Sequence, residues 1–483
     1  MPRTPFPLLV AVLLSGCMVG PDYVRPSPPA PVPDAYREMA GWKRAEPRDA
    51  IERGRWWEMF GDPELNALAA RVEISNQNIR LAEANFRQAQ ALAEQARAGL
   101  FPTVSAGASA IRSKSPSLSN QPSFATGAVN NFNLNLNASW ELDLWGKVRR
   151  GIESGEANWQ ASAADLELVR LSAQAAVAQS YLGLRIADVQ RRVLEETVAA
   201  FQRTLELTQN RYAAGVAARV DVVQAEVQLK STQAQLVDNG IDRALLEHAI
   251  ATLIGEPAST LTIARAPLVA KLPEIPVGVP SELLERRPDV AAAERSVAAA
   301  NAQIGVAQAA FYPTLTLSAA GGYRSTSFAD WLTAPSRFWS LGAVLARTIF
   351  DGGLRRAVSD QAIAAYDGQV AAYRQTVLTG FQEVEDNLAQ LRLLEEEAGY
   401  QNDAARGAQV SVELTTNQYK AGIVSYLNVI AAQAIALNNE RAAVSVEGRR
   451  LVASVALVKA LGGGWDARAL DDISLSRRSD AQK

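Results

Sequence analysis

The second half of the chain repeats the first. Leu100-Phe101-Pro102-Thr103-Val104 returns as Phe311-Tyr312-Pro313-Thr314-Leu315. Tyr212-Ala213-Ala214-Gly215-Val216 returns as Tyr419-Lys420-Ala421-Gly422-Ile423, and Leu253-Ile254-Gly255 as Ala460-Leu461-Gly462. Pro102 and Pro313 stand 211 positions apart; Gly215 and Gly422, like Gly255 and Gly462, stand 207 apart. A period this long marks a duplicated domain and not the short units of a solenoid. Each copy offers two strand candidates only, and this scarcity limits how the chain can close a sheet.

In the first copy the strand candidates are 103–111 and 132–143. Val104, Ala106, Ala108 and Ala110 share one face of the former. In the latter, Leu134, Leu136, Ala138, Trp140 and Leu142 alternate with Asn133, Asn135, Asn137, Ser139 and Glu141. The second copy gives 314–323 and 339–349. Period two, with one apolar and one small-polar face, describes a sheet dividing two environments. A soluble sandwich and a membrane barrel both satisfy it.

Between Gly146 and Gly255 there is no proline, and none from Gly352 onward. Leu194, Val198, Phe201, Leu205, Thr208 and Tyr212 fall at alternating steps of four and three, as do Val377, Phe381, Val384, Leu388 and Leu391. That is coiled-coil spacing. A helix from Gly146 to Tyr212 is about 100 Å long at 1.5 Å per residue. Breaks at Gly215 and Gly422 fold the two stretches into hairpins, 146–254 and 352–462. Helices of this length favour a tube or a stalk over a compact bundle.

Four strands cannot close a barrel, and lipid tolerates no unpaired strand edge. If the strands span a membrane, several chains must share one barrel. Two chains give eight strands and a filled interior; three give twelve and begin to leave a lumen. The asparagine-rich face suits a wetted lumen, which favours three.

Residues 1–16 read as a lipoprotein signal peptide, with Arg3 followed by the apolar run Leu8–Leu14. Leu14-Ser15-Gly16-Cys17 resembles a lipobox, which makes Cys17 the site of acylation and the covalent lipid the one attached group expected. Cys17 is the only cysteine, so no disulfide exists within the chain. Residue 18 is Met and not Asp, which by resemblance to lipoprotein sorting signals favours the outer membrane. The proline-rich stretch 17–55 reads as an extended, lipid-anchored tether. Asp62-Pro63-Glu64 then reads as a helix start, with proline at the first helical position.

A net charge of −3 gives no basic surface for nucleic acid. His248 is the single histidine and lies in a helical run, so no zinc cluster and no catalytic triad is expected. No phosphate-cradling glycine loop with lysine occurs. The chain does not read as an enzyme.

At this level of detail the residues match a family. The chain resembles the outer-membrane efflux proteins of TolC type, in the lipoprotein (NodT-like) branch that serves RND-type tripartite exporters. Gly20-Pro21-Asp22-Tyr23-Val24-Arg25-Pro26 resembles that branch's segment after the acylated cysteine. Trp56-Trp57, Phe60 and Asp62-Pro63 resemble its first helix. Arg286-Arg287-Pro288-Asp289-Val290 with Glu294 resembles its most diagnostic stretch, and Phe350-Asp351-Gly352-Gly353 its strand-to-helix junction.

The resemblance implies a mainly α homotrimer. A 12-stranded membrane β-barrel would continue into a long α-helical barrel, with a mixed equatorial domain built from 255–287 and the tail 463–483. It implies a passive multidrug-resistance-type exit duct in contact with outer-membrane lipids, docked to a periplasmic adaptor and an inner-membrane pump. It also implies a periplasmic gate near the glycine turns. By position, Asp221 matches an acid that bonds a tyrosine on the neighbouring hairpin, here Tyr419. Leu427, Asn428 and Ala431 match positions ringing the constriction. Relatives often carry acids at the last two; this chain carries none, which predicts a gate less sensitive to multivalent cations. A helix-capping role for Asp221 stands beside the gate role. The rival reading of the whole chain is a lipid-anchored periplasmic scaffold with a coiled-coil stalk and no channel.

Overall fold

The structure, a computed structural model, describes residues 18–29, 31–38, 55–114, 127–275, 283–468 and 470. The signal peptide, Cys17, residues 39–54 of the tether and the tail beyond 470 lie outside the described residues.

Helices α1 (Pro63–Ser75) and α2 (Gln77–Ala98) precede strands β1 (Thr103–Ser113) and β2 (Val129–Leu142). Helices α3 (Lys147–Ala213) and α4 (Arg219–Leu253) form the first hairpin. The second copy supplies α5 (Pro288–Ala309), β3 (Thr314–Ser325), β4 (Arg337–Ala346), α6 (Leu354–Lys420) and α7 (Tyr426–Ala460). Helices α3 and α6 are each 67 residues long, and α4 and α7 each 35, so the duplication is exact to the residue in its long elements.

The start of α1 shows why a proline can open a helix. Asp62 caps it, its Oδ1 accepting the Glu64 and Leu65 N–H groups at 2.9 and 3.2 Å. Pro63 sits where a missing N–H costs nothing. The same carboxylate accepts the Tyr181 hydroxyl at 2.9 Å through its other oxygen.

The chain divides into two compact units. One comprises the N-terminal segment to Pro26, 86–161 and 293–373. It contains a single antiparallel sheet in the order β1-β2-β3-β4. Strands of the two copies pair directly: β2 runs against β3 from Phe132↔Ser325 to Leu142↔Leu315. Register keeps the faces distinct across the sheet. Ala138 pairs with Val104 and Ala319, whereas Asn137 pairs with Ser105 and Ala320. Among the described residues, strands β1 and β4 each have one edge unpaired.

The other unit holds 27–85, 162–292 and 374 onward. Its main core gathers Trp56, Trp57, Phe60, Leu65, Val72, Val177, Leu182, Leu388, Leu451 and Val458, all at most 5 % exposed. The diagnostic arginine is a structural tie here. Arg287, 6 % exposed, grips Asp289 with two nitrogens (3.0 and 2.6 Å), Glu383 at 2.7 Å and the Ala460 carbonyl at the end of α7 at 3.0 Å. A buried guanidinium with this many acceptors is compensated, and removing any one partner leaves charge stranded.

Residues 18–29 and 31–38 carry no helix or strand, as the prolines dictate, but they are bonded along their length. Pro21, Tyr23 and Ser27 each engage a partner far along the chain. Arg37 and Glu38 donate backbone N–H groups to the Glu385 carboxylate, and Tyr36 is buried in the main core of its unit.

Candidate functional site

Both hairpin tips lie in the second unit. Each is built from the same backbone. Val216 N–H donates to Arg211 O at 2.8 Å while Gly215 N–H donates to Tyr212 O at 2.9 Å. Ile423 and Gly422 repeat this with Gln418 and Tyr419 at 2.9 and 3.0 Å. These nested bonds end a helix on a residue in the left-handed region, and both glycines have φ +76°. A side chain there would collide with its own backbone, which is why glycine recurs at both breaks.

Above the turns the two hairpins share a small core. Phe201 and Leu205 of α3, Ala225 and Leu229 of α4, Tyr419 of α6, and Tyr426 and Val429 of α7 are all at most 7 % exposed. Tyr419 and Tyr426 lie with ring centroids 5.4 Å apart, tilted by 53°. Arg211, from the first copy, places its guanidinium carbon 4.8 Å from the centre of the Tyr419 ring. It also donates to the Lys420 carbonyl at 3.3 Å. A cation over a tyrosine face contributes about 0.5–2 kcal/mol depending on its exposure. Burial first, then the nearby Tyr419 and Asp221, push the Tyr426 phenol up to about 12.

Asp221 sits in the first turn of α4, where its Oδ2 accepts the N–H of the capping residue Ala218 at 3.2 Å. It thereby satisfies one of the donors a helix start leaves open. The Tyr419 hydroxyl is buried and has no hydrogen-bond partner among the described residues, so the two residues do not bond to each other here. Leu427, Asn428 and Ala431 share the exposed face of α7, opposite the buried Tyr426 and Val429. Leu427 is 59 % exposed, and neither Asn428 nor Ala431 brings charge to that face.

Two residues of this cluster carried no sequence signal of their own. Arg211 corresponds to Gln418 in the second copy and Tyr426 to Arg219 in the first, so comparing the copies picks out both as places where the tips diverged. His248 lies on α4, its backbone carbonyl accepting the Thr252 hydroxyl at 3.1 Å. Among the described residues no group of three His, Cys, Asp or Glu side chains converges on a metal position. No described helix is long and apolar enough to cross a membrane.

A duplicated chain with one open four-stranded sheet and two very long helical hairpins has the make-up of an outer-membrane efflux channel. A family model described as "Outer membrane efflux protein" matches residues 68–256 and 279–463, and the chain belongs to that family. It is an outer-membrane efflux protein, the exit duct of an efflux system, in a family of channels and not of enzymes. Among its relatives is the pyoverdine export outer membrane protein OpmQ of Pseudomonas aeruginosa, 35% identical over 450 residues, covering 91% of this chain and 94% of that one. Outer membrane protein OprJ of the same organism is 31% identical over 464 residues, covering 95% of each. Among solved structures, the outer-membrane channel OprN superposes with a TM-score of 0.86 at 31% identity, over 93% of this chain and 100% of that one. The open state of the Neisseria gonorrhoeae MtrE outer membrane channel does so with 0.82 at 28% identity, over 93% and 99%.

Proposed function

We propose that three copies of this chain close a 12-stranded barrel in the outer membrane and a helical tunnel in the periplasm. Through this duct an inner-membrane pump, joined by a periplasmic adaptor, expels its cargo. The observation that carries the reading is the sheet: four antiparallel strands with free edges at β1 and β4. Hydrocarbon leaves no water to satisfy those edge groups, so each must pair with another chain. Three copies give a barrel wide enough for a lumen. Energy comes from the pump, and the duct itself needs no chemistry.

Cys17 carries the acyl chains that hold the N-terminus to the membrane. The tips form the periplasmic gate. Leu427 supplies an apolar ring that closes by dewetting, and Asn428 and Ala431 leave that ring without the cation-attracting field of carboxylates. Asp221 and Tyr419 belong to the same gate. The unpartnered hydroxyl of Tyr419 is a donor, and Asp221, near enough to act on Tyr426, is the acceptor within the cluster.

The test is extraction and recording. Trimers that need detergent and migrate anomalously until heated support the reading; monomers released by salt alone reject it. In single-channel recordings the duct conducts without block by multivalent cations, and Ala431→Asp introduces that block. Block of the unaltered channel that vanishes only when Asn428 or Ala431 is changed rejects the neutral gate.

A further inference from the structure

The N-terminal segment begins docked in a built receptacle. Val19 donates its N–H to the Trp145 carbonyl at 3.0 Å, just past the end of β2. Met18 packs over Gly146, where a Cβ would lie 2.4 Å from its Cγ, and Gly20 crosses Gly305 with no room for a side chain on either. Arg150, 1% exposed, closes the receptacle. It donates to Val19 O at 3.2 Å, Gly20 O at 3.1 Å and Asp22 Oδ1 at 2.8 Å, with Glu153 as its remaining carboxylate at 2.7 Å. A buried guanidinium devoted to two backbone carbonyls and one side chain of a terminal segment fixes where that terminus points. Asn301 adds a bond to Pro21 O at 2.9 Å.

On the same unit an open, mostly apolar groove of roughly 540 Å³ crosses β2, β3 and β4 beside Pro102. Ala138, Ala319 and Ala343 are its small members, and Trp140, Leu317 and Leu341 its large ones. The Trp140 indole is held in place by its N–H bond to Leu100 O at 3.0 Å. Trp140 precedes Trp145 by five residues, at most about 17 Å of extended chain. An acyl chain crossing one leaflet reaches about 15 Å, half of the ~30 Å hydrocarbon core.

We propose that this groove seats an acyl chain borne by Cys17, and that the Arg150 receptacle is the positioning device that delivers it there. The proposal rests on the anchor reading above. The occupant is the protein's own lipid: Cys17 is bonded directly to Met18, which packs on Gly146 at the foot of the sheet. Small side chains between large ones make a trough that a methylene chain fills, where bulk lipid would have to order itself at entropic cost.

The experiment feeds cells a fatty acid carrying both a photoreactive diazirine and an alkyne. The full-length protein is irradiated in its own outer membrane, and the peptides joined to the acylated N-terminal peptide are mapped. The expected product links that peptide to segments containing Trp140 and Leu317 of the same chain. Ala319→Trp, which fills the groove, lowers this product about tenfold while detergent-stable trimers persist, and Arg150→Ala lowers it by a similar factor. Links to phospholipid alone, to a second copy, or to helical peptides overturn the groove assignment, as does an unchanged yield in Ala319→Trp trimers. An N-terminal peptide with no acyl label overturns the anchor itself, and with it the groove; only this outcome touches the earlier reading.

Discussion

At the tip of the first hairpin Tyr212 is 47% exposed; at the tip of the second its counterpart Tyr419 is 5% exposed and packed against the tilted ring of Tyr426. The backbones around them are superimposable in kind, with the same nested bonds and the same left-handed glycine. The duplication therefore preserved the turn and released the side chains. One tip keeps the apolar aromatics, and the other lends a cation to them through Arg211.

Tyr419→Ala should have the largest effect, about 3 kcal/mol of lost stability from an emptied aromatic site, read as earlier unfolding in denaturant and a higher open probability. Tyr212→Ala should stay within about 0.5 kcal/mol. Equal losses at the two tyrosines would remove the asymmetry altogether. Gly215→Ala and Gly422→Ala should cost about 1–2 kcal/mol each, and the same at both tips, because the penalty is in the backbone; thermal melting of the trimer reads it. Arg211→Ala should cost about 1 kcal/mol through the lost ring contact, against almost nothing for Gln418→Ala. Asp221→Asn should cost about 0.5 kcal/mol from weaker helix capping, read by the same thermal melting.

Alkaline titration gives an independent handle on the second tip. A phenol whose folded-state pKa lies above its unfolded value favours the fold in its protonated form. Its contribution is complete below about pH 10, where free tyrosine titrates, and declines as pH rises toward about 12. Tyr426→Phe should flatten that decline in a stability-against-pH profile, and Tyr212→Phe should leave it unchanged.

Much of the architecture was legible in residue spacing because it depends on local rules. Alternation of Leu134 through Leu142 with asparagines sets a strand with two unlike faces, and Gly215 and Gly422 break proline-free helical runs where the left-handed backbone favours glycine. The site was less legible. Asp221 and Tyr419 came from resemblance, and the structure turns the Asp221 carboxylate onto its own helix start while leaving the Tyr419 hydroxyl free. The small core joining Phe201 to Val429 draws on all four long helices, and heptad spacing names the inward face of a helix without naming what it meets. The receptacle for residues 18–23 was hidden for a different reason. Arg150 binds carbonyl oxygens there, and every residue type has one.

The seam between β2 and β3 bears on ancestry. Because the ladder that joins the two copies has the same antiparallel form as those inside each copy, a single-copy forerunner had the same pairing available between separate polypeptides, and a ring of six such halves has as many strands as three fused chains. Joining two halves end to end left that ring's construction alone. What it changed is heredity: with both copies in one polypeptide, each tip mutates without dragging its twin along, so the proposed ring of three chains is threefold and not sixfold.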